Sequence, residues 1–172
     1  MEKAPLILTA KMDRETFEFF DRLRRAHFPR ERNHLAAHVT LFHHLPGERR
    51  EEIEAQLETV AARQAGIDLH FSDLKFIGRG TIAAINSPPL IALRDALARR
   101  WSADLTRQDA QKFAPHVTIQ NKTDPEKARL LYENLSAAWK PRAGTAIALE
   151  LWHYRDGPWQ LAREFDFRET AA

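Results

Sequence analysis

The tetrapeptide His38-Val39-Thr40-Leu41 returns 78 residues later as His116-Val117-Thr118-Ile119. Side chains on a β-strand alternate in direction, so each copy places an imidazole and a hydroxyl on one face and two aliphatic groups on the other. Val39, Leu41, Val117 and Ile119 therefore point into a core. His38, Thr40, His116 and Thr118 are left to line a surface, and two such strands facing each other make a two-histidine site.

A chain of 172 residues is long enough for one domain with a sizeable core, or for a domain built from two small lobes. With 44% hydrophobic and 29% charged residues it reads as globular rather than disordered. The formal net charge of +2 permits a polyanionic partner without demanding one. The absence of cysteine excludes disulfides, thiol nucleophiles and cysteine-based zinc sites. The N-terminal apolar run Leu6-Ile7-Leu8 is strand-length, not membrane-length, so no membrane partner is expected. The expected location is cytoplasmic and the expected state a monomer.

The pattern of the chain predicts two similar halves. A strand over Leu6 to Ala10 leads to a helix capped by Asp13, with Phe17, Phe20 and Leu23 on one face. The first motif strand runs to the turn Pro46-Gly47, and a second helix spans Glu48 to Ala65 with Gly66 as its stop. Strands over Ile67 to Phe71 and Thr81 to Ile85 are expected to pair as a hairpin about the turn Gly78-Arg79-Gly80. Pro88-Pro89 opens a third helix, and residues 102 to 115 are irregular. After the second motif strand, Thr123-Asp124-Pro125-Glu126 starts a fourth helix. The chain closes with strands over Thr145 to Trp152 and Trp159 to Phe167 about the turn Asp156-Gly157-Pro158. Each half thus reads motif strand, helix, hairpin. With no Gly- or Ser-rich tether between the halves, residues 1–172 read as a single bilobal α+β domain with mostly antiparallel sheets.

The paired motifs, with Ala36-Ala37 before one and Ala114-Pro115 before the other, resemble those of the 2H phosphoesterase superfamily, which includes the RNA 2′,3′-cyclic phosphodiesterases also known as 2′-5′ RNA ligases. The resemblance implies a duplicated fold with helices outside and a central groove carrying both motifs. It also implies that one histidine of the pair His38 and His116 acts as base and the other as acid, with Thr40 and Thr118 holding phosphate. Opening a cyclic phosphate needs a proton taken from water and a proton given to the departing ribose oxygen, and two imidazoles can do both near neutral pH. The scheme requires no metal or other cofactor. The sequence leaves open which histidine is the base. The implied substrates are an RNA end carrying a 2′,3′-cyclic phosphate, a small cyclic nucleotide or a related 2′-5′ phosphoester. No stretch matches the arginine-bearing motifs of the RNA-ligase branch, which favours hydrolysis over ATP-independent ligation. The tail Leu151-Trp152-His153-Tyr154 and Gly157-Pro158-Trp159 is similar to that of less characterised bacterial relatives.

Strand parity carried two steps further adds Phe42 and His44 to the groove in the first lobe, and Gln120 and Lys122 in the second. Phe42 is placed to stack on a base, while Gln120 and Lys122 are placed to hold a base edge or a phosphate. Tyr154 and Arg79 are candidates for the groove rim, and the four tryptophans are expected to be core or rim anchors. The crowded His34, His38, His43 and His44 raise a metal site as a rival, but strand alternation sends His43 away from His38 and His44 and spoils convergence. A second rival is an RNA- or nucleotide-binding module without turnover. Retention of both histidines and both threonines argues against it.

Overall fold

The computed structural model describes residues 3–169. Its elements follow in the order β1 (Leu6–Met12), α1 (Arg14–His27), β2 (Val39–Leu45), α2 (Arg50–Arg63), β3 (Ile67–Phe71), β4 (Leu74–Phe76), β5 (Thr81–Ala84), α3 (Pro88–Arg100), β6 (His116–Gln120), α4 (Pro125–Ala138), β7 (Arg142–His153) and β8 (Gln160–Asp166). The mixed α and β composition and the antiparallel pairing of every strand agree with the reading of the sequence.

Local chemistry explains the helix starts. Asp13 accepts from the Thr16 amide at 3.0 Å, Ser87 accepts from the Leu90 amide, and Asp124 accepts from the Glu126 and Lys127 amides. Each side chain satisfies donors that the first helical turn leaves without a partner. Helix α2 is shorter than expected. A 3₁₀ turn occupies Gly47–Arg49, and the helix ends at an extended Gln64 rather than at Gly66.

The strands form two sheets. One has the order β2-β1-β7-β3, with β8 lying beyond β3 along the same edge of the long β7; the other has the order β4-β5-β6. The expected hairpin between residues 67–71 and 81–85 does not exist. Its first strand, β3, pairs with β7, and its second, β5, pairs with β4 and β6. The Gly78-Arg79-Gly80 turn is present but joins β4 to β5. Gly78 takes φ +88°, and a Cβ on Gly80 would collide with the Gln120 carbonyl. The repeat is therefore strand, helix, motif strand, helix and two strands, with a strand exchange. β4 from the first half completes the second sheet, and β7 and β8 from the second half complete the first.

Corresponding strand pairs share one register. Leu8, Thr9 and Ala10 oppose Phe42, Thr40 and Val39, just as Thr81, Ile82 and Ala83 oppose Gln120, Thr118 and Val117. Each motif strand carries a β-bulge at the residue after its threonine, Leu41 or Ile119, where the partner strand advances by one residue and the motif strand by two.

Val39, Leu41, Val117 and Ile119 are fully buried, as the alternation predicts, and belong to one continuous core that reaches both sheets. At the lobe junction β2 approaches β6, and α1 packs on β6 and β7. No helix among the described residues is long and apolar enough to cross a membrane.

Candidate active site

His38 immediately precedes β2 and His116 opens β6. Each imidazole is anchored in the same way, with Nδ1 hydrogen-bonded to the carbonyl two residues earlier. His38 pairs with Ala36 at 2.7 Å and His116 with Ala114 at 2.9 Å. A carbonyl can only accept, so Nδ1 carries the hydrogen, and Nε2 is the nitrogen left for proton exchange.

The two sites are not equal. The edge of Trp159 closes on the His38 ring, with centroids 4.8 Å apart and planes at 61°. Burial pushes His38 down from the ordinary histidine value to about 4. The Ala36 carbonyl opposes the shift, while positive charge at Arg24, His116 and His43 adds to it. His38 is thus held neutral at neutral pH.

Arg24 is a residue that sequence reasoning missed. It projects from α1, is almost fully buried, and donates to the Thr118 carbonyl at 2.8 Å and to Asn33 at 3.1 Å. Its guanidinium also lies over the Phe28 ring. This side chain fastens α1 to the second motif strand directly behind Thr118. The available signal was a cation one turn after Phe20, on the face that α1 buries.

Thr40 and Thr118 are half-buried and remain on the opposite side of their strands from the core residues. In the first sheet Thr40 opposes Thr9, and Thr9 opposes Glu150, so the three share one face. The Trp152 indole donates to Thr9 Oγ1 at 2.9 Å, and Thr9 Oγ1 donates to Glu150 at 3.5 Å. Beside His38 this face bounds a cavity of about 580 Å³, whose walls include Trp159, Trp152, Phe17, Met12 and Glu150.

The residues added by extending strand parity lie elsewhere. Phe42 is fully buried, edge-on to Trp101 at 5.2 Å and under the Arg94 guanidinium at 4.2 Å, because the bulge at Leu41 reverses the alternation. Gln120 is buried by the equivalent bulge and donates to the His27 carbonyl at 3.2 Å, tying β6 to α1. His44 is exposed beyond a second bulge of β2, beside Pro46 and Asp104. Lys122 is exposed in a turn with φ 58°, past the end of β6 away from His116. Tyr154 follows β7 and donates its amide to Pro5, at the end of the sheet opposite His38. Arg79 is exposed at the β4–β5 turn. Only His38, His116, Thr40 and Thr118 remain as candidate groups at the junction.

His43 points to Asp109, whose buried carboxylate accepts from the His43 ring at 3.0 Å and from the amides of His43 and His44 at 2.9 Å. These bonds outweigh burial and hold the Asp109 carboxyl below its ordinary value. Arg94 donates to the carbonyls of Leu41 and Asp109 and locks the same corner. The crowded histidines are thus divided among separate environments. No group of three or more His, Asp or Glu side chains positioned to hold a metal occurs among the described residues.

A two-lobed α and β protein with duplicated, carbonyl-anchored histidines at the lobe junction is the class that this fold and site define. The family model of the 2′-5′ RNA ligase superfamily matches residues 12–158, and the chain belongs to that family. Its fold is similar to that of TT0787 of Thermus thermophilus, with a TM-score of 0.68 and 14% identity, covering 97% of this chain and 100% of that one. It is likewise similar to E. coli LigT complexed with 3′-AMP, with a TM-score of 0.64 and 19% identity over 96% of this chain and 99% of that one. No curated protein matches the sequence.

Proposed function

We propose that residues 1–172 act as one bilobal, metal-independent phosphodiesterase that opens a 2′,3′-cyclic phosphate on a nucleotide or an RNA end. The observation that carries this reading is the identical anchoring of His38 and His116 through Nδ1. It leaves two Nε2 atoms for one proton abstraction and one proton donation.

Water attacks phosphorus as one imidazole removes its proton. The bond from phosphorus to one ribose oxygen breaks, and that oxygen receives a proton from the other imidazole. His38, which burial keeps neutral, takes the base role in this direction, and His116 takes the acid role. Thr40 and Thr118 donate to the nonbridging oxygens and stabilise the charge that grows on them. Family membership and the likeness to nucleotide-bound LigT support the phosphoester chemistry.

The shift of His38 gives the proposal a pH test. Protonation of the base disables it, so the acid limb of kcat/KM for the free enzyme is expected near pH 4 rather than near 6.5. Stability has the same sign. The unfolded chain binds the proton at the ordinary value and the folded chain does not, so stability falls as pH drops from about 6.5 toward 4. A kcat/KM profile recorded from pH 3.5 to 8 checks this, and an acid limb centred at 6.5 contradicts the base assignment.

A further inference from the structure

The two lobes differ in one respect that acid–base chemistry does not require. β7 carries β8 and the preceding Trp159 on the first lobe, and the three-stranded second lobe has no counterpart. The cavity beside His38 is built from that addition. We propose that this cavity is a nucleobase subsite selective for guanine, with the indole of Trp159 or Trp152 against the ring face and the Glu150 carboxylate against the ring edge. The inference rests on the reading of the groove as a nucleotide phosphodiesterase site.

The walls suit a flat aromatic ring. Trp152 and Trp159 form an open V, with centroids 6.2 Å apart and planes at 54°, and Phe17 and Met12 extend the apolar lining. Aromatic faces stack on any base, so they supply affinity without discrimination. The discriminating group is Glu150. It is half-buried among these walls, and its one hydrogen bond among the described residues is the long contact from Thr9 at 3.5 Å.

Its setting is poor for a purely structural residue. Glu150 stands directly opposite Glu164 in the β7–β8 ladder, an arrangement of like charges that destabilises a sheet. The nearby cation, Lys11, is bound to Glu164 at 2.9 Å. Burial first, then the charge of Glu164, holds the Glu150 carboxyl above its ordinary value. What the carboxylate lacks is a pair of donors from the cavity.

Position agrees with this assignment. Glu150 lies two strands from Thr40 through Thr9, a separation of about 10 Å between strand positions, which a nucleoside can bridge with its phosphate at the threonine. Guanine presents two adjacent donors, N1–H and the 2-amino group, and a carboxylate can accept both. Adenine offers its amino group alone. Uracil flanks its single donor with carbonyl oxygens that repel the carboxylate.

Calorimetric binding of the 3′-monophosphates of guanosine, adenosine, cytidine and uridine, to wild type and Glu150→Gln, tests the subsite without turnover. Guanosine is expected to bind about 10- to 100-fold more tightly than uridine in wild type. The glutamine variant should reduce that preference to about threefold or less, since its amide cannot accept both donors. Equal affinities across the four bases, or a guanosine preference that survives Glu150→Gln, would overturn the subsite. Turnover of the corresponding 2′,3′-cyclic nucleotides separates the two proposals. Hydrolysis with no base preference in binding refutes the subsite alone, whereas base-selective binding without hydrolysis refutes the phosphodiesterase reading alone.

Discussion

Alanine at either His38 or His116 is expected to lower turnover of a 2′,3′-cyclic nucleotide by about 10²- to 10⁴-fold, the range for losing one positioned acid or base. Each ring is partly exposed and held at Nδ1 by a single carbonyl, so truncation removes the transferable proton with little cost to packing. The double variant should be only modestly worse than either single one, because a base without its acid partner completes no cycle. Asparagine at either position should not rescue activity, since a carboxamide hydrogen-bonds but does not exchange a proton near neutral pH. Steady-state rates of the four proteins, each shown folded by its denaturation midpoint, check this. A single variant with near wild-type rate ends the paired mechanism.

Phe42→Ala is expected to act on stability instead. The ring is fully buried between Trp101 and Arg94, so truncation removes apolar burial, an aromatic contact and the surface on which a guanidinium rests. Losses of about 3–5 kcal/mol are usual for such a change, a large part of the roughly 5–15 kcal/mol available to a domain. Phe42→Leu should recover most of it. Urea unfolding of the three proteins measures the difference. Were Phe42 a base platform, as parity alone suggests, the alanine variant would unfold normally and show a raised KM.

That contrast also marks how far the sequence was legible. Alternation correctly assigned eight positions, His38 to Leu41 and His116 to Ile119, because both strands keep period two across the motif. It failed at the next residue in each copy. A bulge follows from the register imposed by β1 or β5, and neither Leu41-Phe42 nor Ile119-Gln120 advertises it. The helices were recoverable from caps and apolar stripes, both of which act within a few residues. The hairpin assigned to residues 67–71 and 81–85 was not, since turn chemistry at Gly78 to Gly80 is local whereas the pairing of β3 with β7 spans more than seventy residues of chain.

The site shows the same division. The motif histidines announce themselves by repetition, while Arg24 and Trp159 reach the site through folding and have no repeated counterpart in the chain. Arg24 secures Thr118 from α1, and Trp159 reaches His38 from the turn before β8. Both help set the charge of His38, one as a neighbouring cation and the other by excluding water from the ring.

The central claim is that two histidines open a cyclic phosphate without a metal. The most direct test is ³¹P NMR of 2′,3′-cyclic guanosine monophosphate incubated with the wild-type protein in EDTA. Conversion to a single monoester at the rate seen without chelator is the predicted result. No conversion in EDTA, with activity restored by zinc or manganese, would contradict it.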